Sequence, residues 1–361
     1  MNRQEHRRRS RIRRRIGVGI LAVAALGAGI MFGVVQDRSG TATPTPSASP
    51  SQDLVPLRTT VFSVASTADA SRVLAIPPLL IAEPVTGGES TALMLDSAMH
   101  AVGPAGEAPL RQHASGFGPE GLAGAIRNEL GLRIDTAVEI TEVDLAKILE
   151  RVGSIEISVL LPIVEDGEEV YSAGFHQMDA TELVTFLAFP FADPKIDETT
   201  RNAMIAGAWK QIATAPATKA AVRDAGLAAD ATEALRAFAT LTSVTAIPVQ
   251  QLDDGIVLDD LVYEAMTASL ERIWLNELRP QDRPKVDLRG QTLVEPMLLL
   301  IADGIRVARM TVEPVAELLI ETDDQAFGAR IEALLGGGTV EAPEEPLRTG
   351  LGARIAFPRA A

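Results

Sequence analysis

Few cysteine or histidine side chains of this sequence could hold a metal ion. It contains no cysteine and four histidines, and His6 lies within an arginine-rich N-terminus. His100, His113 and His176 could join Asp96 as ligands, but none lies at helical ligand spacing from another. We therefore expect these three histidines to be exposed or bonded locally.

The motifs of common catalytic sites are also absent. The sequence has no G-x-S-x-G, no Walker loop and no H-E-x-x-H, and without cysteine there is no thiol nucleophile or disulfide scaffold. The glycines at 336–338 follow a predicted helix, which indicates a helix cap and turn rather than a phosphate-binding loop. The acidic residues at 253–260 indicate a solvated loop and helix start. Local motifs alone therefore predict little chemistry.

Length and charge limit the class of protein. The chain has 361 residues, of which 47% are hydrophobic, enough for about two globular domains plus tails. The net charge is -15, but residues 1–35 hold eight arginines and one glutamate, which leaves 25 basic and 47 acidic residues on the rest. A body with a charge of -22 is a poor binder of nucleic acid or anionic lipid.

The N-terminus predicts a membrane anchor. Residues 1–15 form a basic tail, and residues 16–35 are an uncharged apolar stretch long enough to cross a bilayer as a helix. No A-x-A cleavage site follows, so a cleaved signal peptide is not favoured. The positive-inside rule places the tail in the cytoplasm and the rest outside, joined by a Ser/Thr/Pro linker at 36–56. The alternative for the arginines is a nucleic-acid-binding tail.

The remaining sequence predicts an α/β protein. Alternating or β-branched runs predict strands, amphipathic spacing predicts helices between them, and 166–167 predicts a hairpin turn. We assign 57–250 to a layered α/β/α domain, 251–284 to a helical connector and 285–358 to a small α/β domain. The predicted strands are 59–64, 91–95, 136–140, 154–161 and 243–249, and the predicted helices include 180–187, 200–212, 218–240 and 258–276.

A longer pattern resembles the LytR-CpsA-Psr family. Three segments, 116–163, 174–189 and 197–212, follow in the order of that family's motifs, and the C-terminal part is similar to the LytR C-terminal domain. The residues that match are Gly131, Ile134, Asp135, Gly153, Pro162, Gly174 and Met178. The resemblance covers about residues 57 to 358 and implies a mixed sheet.

The resemblance implies a function at the cell envelope. Members join glycopolymers, carried on a polyprenyl pyrophosphate lipid, to peptidoglycan by phosphoryl transfer with a divalent metal, here expected to be Mg²⁺. The resemblance assigns Asp96 and Asp197 to the metal. It assigns Arg201 to phosphate, since guanidinium groups bind phosphate in a bidentate manner. Arg72, Arg111 and Arg127 are further candidates for phosphate, with a surface charge as the alternative for each.

The resemblance also implies an apolar tunnel for the isoprenoid tail. Three helix faces could line it, with plain core packing as the alternative. Its predicted residues are Leu122, Ile126, Leu145, Ile148, Leu149, Leu183, Phe186 and Leu187.

The sequence departs from the family at its arginines. The P-R-D motif falls on residues 94–96 and keeps only Asp96, and three expected guanidinium groups are missing at Ala188, Pro190 and near Met204. Because losing one oxyanion-type donor typically costs about 10²- to 10³-fold in rate, this loss favours slight activity. Two hypotheses remain, a phosphotransferase and a non-catalytic envelope accessory protein. An adhesin or sensor ectodomain fits the topology alone.

Overall fold

The computed structural model describes residues 57–66, 73–132, 134–165, 168–188, 198–247, 249–252, 255–258 and 283–358. The predicted tail, apolar span and linker at 1–56 lie outside these ranges, as do most of the connector, Arg72, Pro190 and Asp197. Within the described ranges, no helix combines the length and the apolar character needed to cross a membrane.

A mixed five-stranded sheet forms the centre of the first part. Its order is β11-β3-β2-β1-β6, with β1 at Leu57–Ser66, β2 at Val73–Pro84, β3 at Ser90–Met94, β6 at Thr136–Thr141 and β11 at Leu241–Ala246. β2 is antiparallel to both neighbours, whereas β1 runs parallel to β6 and β3 runs parallel to β11. Four of the five strands therefore end at the same edge.

Helices cover both faces of this sheet, as predicted for an α/β/α arrangement. α1 (Leu110–Leu130) packs on one face, and the buried side chains of the other helices form a separate cluster on the opposite face. Those helices are α2 (Glu142–Val152), α3 (Ala180–Ala188), α4 (Glu198–Thr214), α5 (Thr218–Arg223) and α6 (Ala229–Phe238). Alternation along the strands explains the division, because Leu79 and Ile81 face one cluster while Leu80 faces the other.

One prediction about these elements was wrong. The predicted helix at 218–240 is two helices, because the chain turns at Gly226 with a φ of +70°. α1 begins at Leu110, well before its apolar repeat, and is kinked at Gly118 next to Pro119.

Short antiparallel pairs complete this part. They are β4 (His100–Gly103) with β5 (Gly106–Pro109), β7 (Ile155–Val159) with β10 (Gly174–Met178), β8 (Ile163–Glu165) with β9 (Glu168–Tyr171), and β12 (Val249–Leu252) with β13 (Gly255–Leu258). The β8–β9 pair confirms the hairpin predicted at 166–167.

The C-terminal part has its own sheet and core. Five strands follow the order β15-β14-β18-β16-β17, and they pack with α7 (Val294–Ala302) and α8 (Gln325–Leu335) around a third buried cluster. The strands are β14 (Lys285–Gly290), β15 (Arg306–Val312), β16 (Leu319–Glu321), β17 (Thr339–Glu341) and β18 (Ala353–Phe357).

Buried polar groups link α1 to the C-terminal part. The Asn128 side-chain amide donates to the carbonyls of Val102 and Val307 and accepts from the Val307 N–H, each at 2.9 Å. Arg283 is 5% exposed and donates to the carbonyls of Asn128 and Gly304. A cation at the last carbonyls of α1 is favourable, so these contacts fix the C-terminal end of that helix.

Candidate functional site

The candidate site lies where β3 ends. Asp96 follows β3 by two residues, and the Ile247 N–H donates to the carbonyl of Met94, so the end of β11 lies directly beside it. In α/β folds this carboxyl edge is the usual place for ligands, because the loops that leave the strands meet there.

Asp96 is held by three donors. It is 2% exposed, and its Oδ2 accepts from the guanidinium of Arg201 and from the Nδ2 of Asn202 at 3.1 Å. Its Oδ1 accepts from the N–H of Ala98 at 2.8 Å. A buried carboxylate requires such partners, so these three donors fix the side chain of Asp96.

Arg201 and Asn202 come from the start of α4, which the core holds in place. Trp209, seven residues beyond Asn202, is 1% exposed and packs edge-on against Phe62 and Phe238, with ring centroids 6.3 and 5.4 Å away. The core packing therefore fixes the first turns of α4, from which the side chains of Arg201 and Asn202 reach Asp96.

The contact between Asp96 and Arg201 joins two predicted site residues that lie 105 positions apart. The Arg201 side chain remains 16% exposed, so part of it reaches solvent. Asn202 was missed, because an asparagine within a helix has no sequence signal of its own. Only its contact with Asp96 reveals it.

Arg111 lies next to this loop. Its backbone N–H donates to the carbonyl of Ser97, one residue from Asp96. Its side chain is exposed and forms no ion pair with any residue of the described ranges. Arg111 therefore lies at the start of α1 beside the Asp96 loop, with an exposed side chain. Asp197 and Arg72, the other predicted ligands, are not among the residues described.

Arg127 does not belong to this site. It lies in the last turn of α1, where its guanidinium donates to the carbonyl of Ile134 at 2.8 Å. Its role is to fix the chain that leads into β6, which is a structural role.

The predicted tunnel residues do not surround one space. Leu122 and Ile126 pack on the α1 face of the sheet, whereas Leu145, Leu149, Leu183 and Phe186 pack on the opposite face, and all six are at most 2% exposed. Ile148 and Leu187 lie with the second group. These residues therefore fall in two core clusters, because helical spacing does not tell which face of the sheet a helix covers.

Two of the three predicted histidines, His113 and His176, are bonded locally. His113 is fully buried; its Nδ1 accepts from the N–H of Ala105, and its Nε2 lies 3.1 Å from the carbonyl of Ala101. Burial lowers the pKa of His113 below its usual value. His176 Nε2 lies 2.7 Å from the carbonyl of Ser172. In the part of the chain that is described, no group of three or more acidic or histidine side chains could hold a metal.

Apolar side chains stand where the family has arginines. Met204 is 2% exposed and packs in the same core cluster as Met94, while Ala188 packs against that cluster. Within the described residues, the site therefore contains Arg201, and Arg111 lies beside the same loop.

Several solved structures are similar to this chain. A protein from Eubacterium siraeum is 13% identical with a TM-score of 0.48, over 66% of this chain and 100% of that one. A LytR-Csp2A-Psr enzyme from Actinomyces oris is 15% identical with a TM-score of 0.42, over 58% and 89%. TagT bound to LI-WTA is 12% identical with a TM-score of 0.43, over 61% and 91%. No protein-family model and no curated protein matches the chain.

Proposed function

We propose that this chain is a membrane-anchored protein of cell-envelope assembly that binds a glycopolymer through the phosphate groups of its polyprenyl carrier. The contact between Asp96 and Arg201 carries the proposal. The family resemblance assigned both residues to one site from separate motifs, and they meet at the edge of the sheet where ligands usually bind.

Arg201 is the group that would hold the phosphate. A guanidinium matches two phosphate oxygens at once and stays charged at any pH that the protein meets. Arg111, exposed and close to the same loop, would add a second positive charge. The isoprenoid tail would lie on the α2–α6 face, because α4 carries Arg201 on that side.

Mg²⁺ would be held by Asp96 together with Asp197, which the resemblance assigns to it. The carboxylate oxygens of Asp96 are of the type that Mg²⁺ prefers, so this residue fits the ion. Bound there, Mg²⁺ would neutralise charge on the leaving phosphate.

The proposed activity is the transfer of the glycopolymer from its lipid carrier to peptidoglycan. A peptidoglycan hydroxyl would form a new P–O bond to the phosphorus that carries the glycopolymer, while the P–O bond to the polyprenyl phosphate breaks. The polyprenyl phosphate leaves, and the hydroxyl proton passes to solvent. Arg201 would contribute by holding the charge that moves to the leaving phosphate.

One observation favours the non-catalytic alternative. Met204 is buried in the apolar core at a position where the resemblance expects an arginine. With fewer guanidinium groups the site would stabilise a transition state poorly and could still bind a phosphate. The accessory protein of this alternative would bind the carrier lipid or other envelope proteins.

A phosphate-release assay distinguishes the transferase from the accessory protein. The full chain in detergent, given a polyprenyl pyrophosphate and Mg²⁺ with water as acceptor, should release phosphate if it is a transferase. Release should be lost in Asp96→Ala and Arg201→Ala, and kept in Arg236→Ala, a control whose side chain is 70% exposed on α6. No release above background favours the accessory protein, and release unaffected by either site variant rejects these residues.

The proposal also places the N-terminus in the cytoplasm and residues 57–358 outside. Protease added to intact cells or spheroplasts should digest the body and spare the N-terminal tail. A body that is protected until the cells are lysed would contradict the orientation, and the envelope function with it.

A further inference from the structure

Arg201 contacts Asp96 through one terminal nitrogen, so turning its guanidinium fully onto a phosphate would withdraw it from Asp96. Asp96 is 2% exposed, so this movement would remove the cationic partner of a buried carboxylate. A ligand that draws Arg201 away must therefore overcome the cost of leaving Asp96. This inference rests on the proposed function, since it concerns how Arg201 becomes available to a phosphate.

Asn202 is placed to lower that cost. Its Nδ2 donates to the same Oδ2 atom that Arg201 contacts, and the N–H of Ala98 holds the other oxygen. Neither donor depends on the position of the Arg201 side chain. The carboxylate therefore keeps a hydrogen bond on each oxygen when the guanidinium leaves.

The side-chain oxygen of Asn202 shows why the amide is oriented as it is. Its Oδ1 is buried and has no hydrogen-bond partner among the described residues, and the side chain as a whole is 2% exposed. A buried acceptor without a partner is unfavourable, and few are kept in folded proteins. The amide nevertheless points its Nδ2 donor at Asp96. The reverse orientation would place the amide oxygen next to a carboxylate, so that two acceptors would repel each other.

We propose that Asn202 is a positioning residue that keeps Asp96 satisfied while Arg201 moves from Asp96 to a phosphate of the ligand. Asn202 acts through Asp96 and need not touch the phosphate. Its effect on ligand binding therefore depends on the charge of Asp96. This dependence separates the proposal from a role in stability alone.

A double-mutant cycle tests it, with the affinity for geranylgeranyl pyrophosphate measured by calorimetry on the full chain in detergent and without divalent cations. Asn202→Leu should weaken binding about 10- to 100-fold, the usual value of one hydrogen bond to a charged group. Asp96→Asn should bind at least as tightly as the wild type, because its Arg201 is no longer held by a charge. Adding Asn202→Leu to Asp96→Asn should then change the affinity less than threefold.

Two further variants keep the test decisive. Asn202→Ala replaces Asn202→Leu if leucine prevents folding. Asn128→Ser is the matched control, because Asn128 is also buried and bonded but links α1 to the C-terminal sheet. It should lower the melting temperature and leave the affinity unchanged.

The outcomes separate this inference from the proposed function. If Asn202→Leu binds like the wild type, or weakens binding equally with and without the Asp96→Asn substitution, Asn202 does not act through the carboxylate and the inference is wrong. If the wild-type chain binds no prenyl pyrophosphate, the proposed function is wrong and this inference falls with it.

Discussion

Replacing Arg201 by methionine should destabilise the protein substantially. Methionine keeps much of the apolar stem of Arg201 and removes the charge beside Asp96. Removing one partner of a buried ion pair costs about 3–5 kcal/mol, because the other charge stays buried and uncompensated. Asp96 is 2% exposed, but the Arg201 side chain is 16% exposed and two other donors remain on the carboxylate. We therefore expect a loss near the lower limit, about 3 kcal/mol in the free energy of unfolding.

Urea unfolding followed by fluorescence measures this loss. Trp209 is buried on the same helix, so its emission reports unfolding of this layer once Trp274 has been changed to phenylalanine. The matched variant is Asp96→Asn combined with Arg201→Met, in which the buried charge is gone. It should recover about half of the loss, because a neutral amide at residue 96 tolerates burial better than a carboxylate.

A small effect would refute the reasoning. If Arg201→Met lowers the free energy of unfolding by less than about 1 kcal/mol, the pair behaves like an exposed salt bridge. If the loss is the same with aspartate and with asparagine at residue 96, it arises from packing and not from the buried charge.

Three further predictions concern α1 and its contacts. Burial lowers the pKa of His113, so the unfolded chain binds a proton at a higher pH than the folded chain does. The free energy of unfolding should therefore fall as pH drops below about 6.5. His113→Gln should remove that part of the pH dependence of unfolding. Gly121→Ala should lower the melting temperature, because a Cβ at Gly121 would lie 2.3 Å from Phe117 Cβ. Gly124→Ala should not lower it, because the atom nearest to a Cβ at Gly124 lies 3.3 Å away. Asn128→Ala should cost about 1–3 kcal/mol in chemical denaturation, since it leaves buried backbone groups without partners, and a loss below about 0.5 kcal/mol would contradict this.

The sequence predicted most elements of the central sheet, and the exception has a physical reason. β2 was missed, although it lies in the middle of the sheet, because prolines at 77 and 78 argue against a central strand. The register with β1 shifts between Phe62 and Val64, opposite these prolines. The irregular register tolerates residues that cannot donate a hydrogen bond.

The candidate site was predictable only in part. The order of motifs led to Asp96 and Arg201, since each belongs to a recognisable segment. Asn202 could not be found in this way, because its role depends on a residue 106 positions away that the fold brings beside it. The division of the predicted tunnel residues between two faces has a related reason, since periodicity identifies the apolar side of a helix but not the face of the sheet that it covers.

Binding of the carrier lipid through its phosphates is the central claim, and native mass spectrometry of the full chain tests it directly. The chain would be offered a polyprenyl pyrophosphate and, separately, the polyprenol of the same length, which lacks the phosphates. The account predicts one bound pyrophosphate lipid per chain, little bound polyprenol, and loss of the lipid in Arg201→Ala. Equal retention of the two lipids, or undiminished binding by Arg201→Ala, would contradict it.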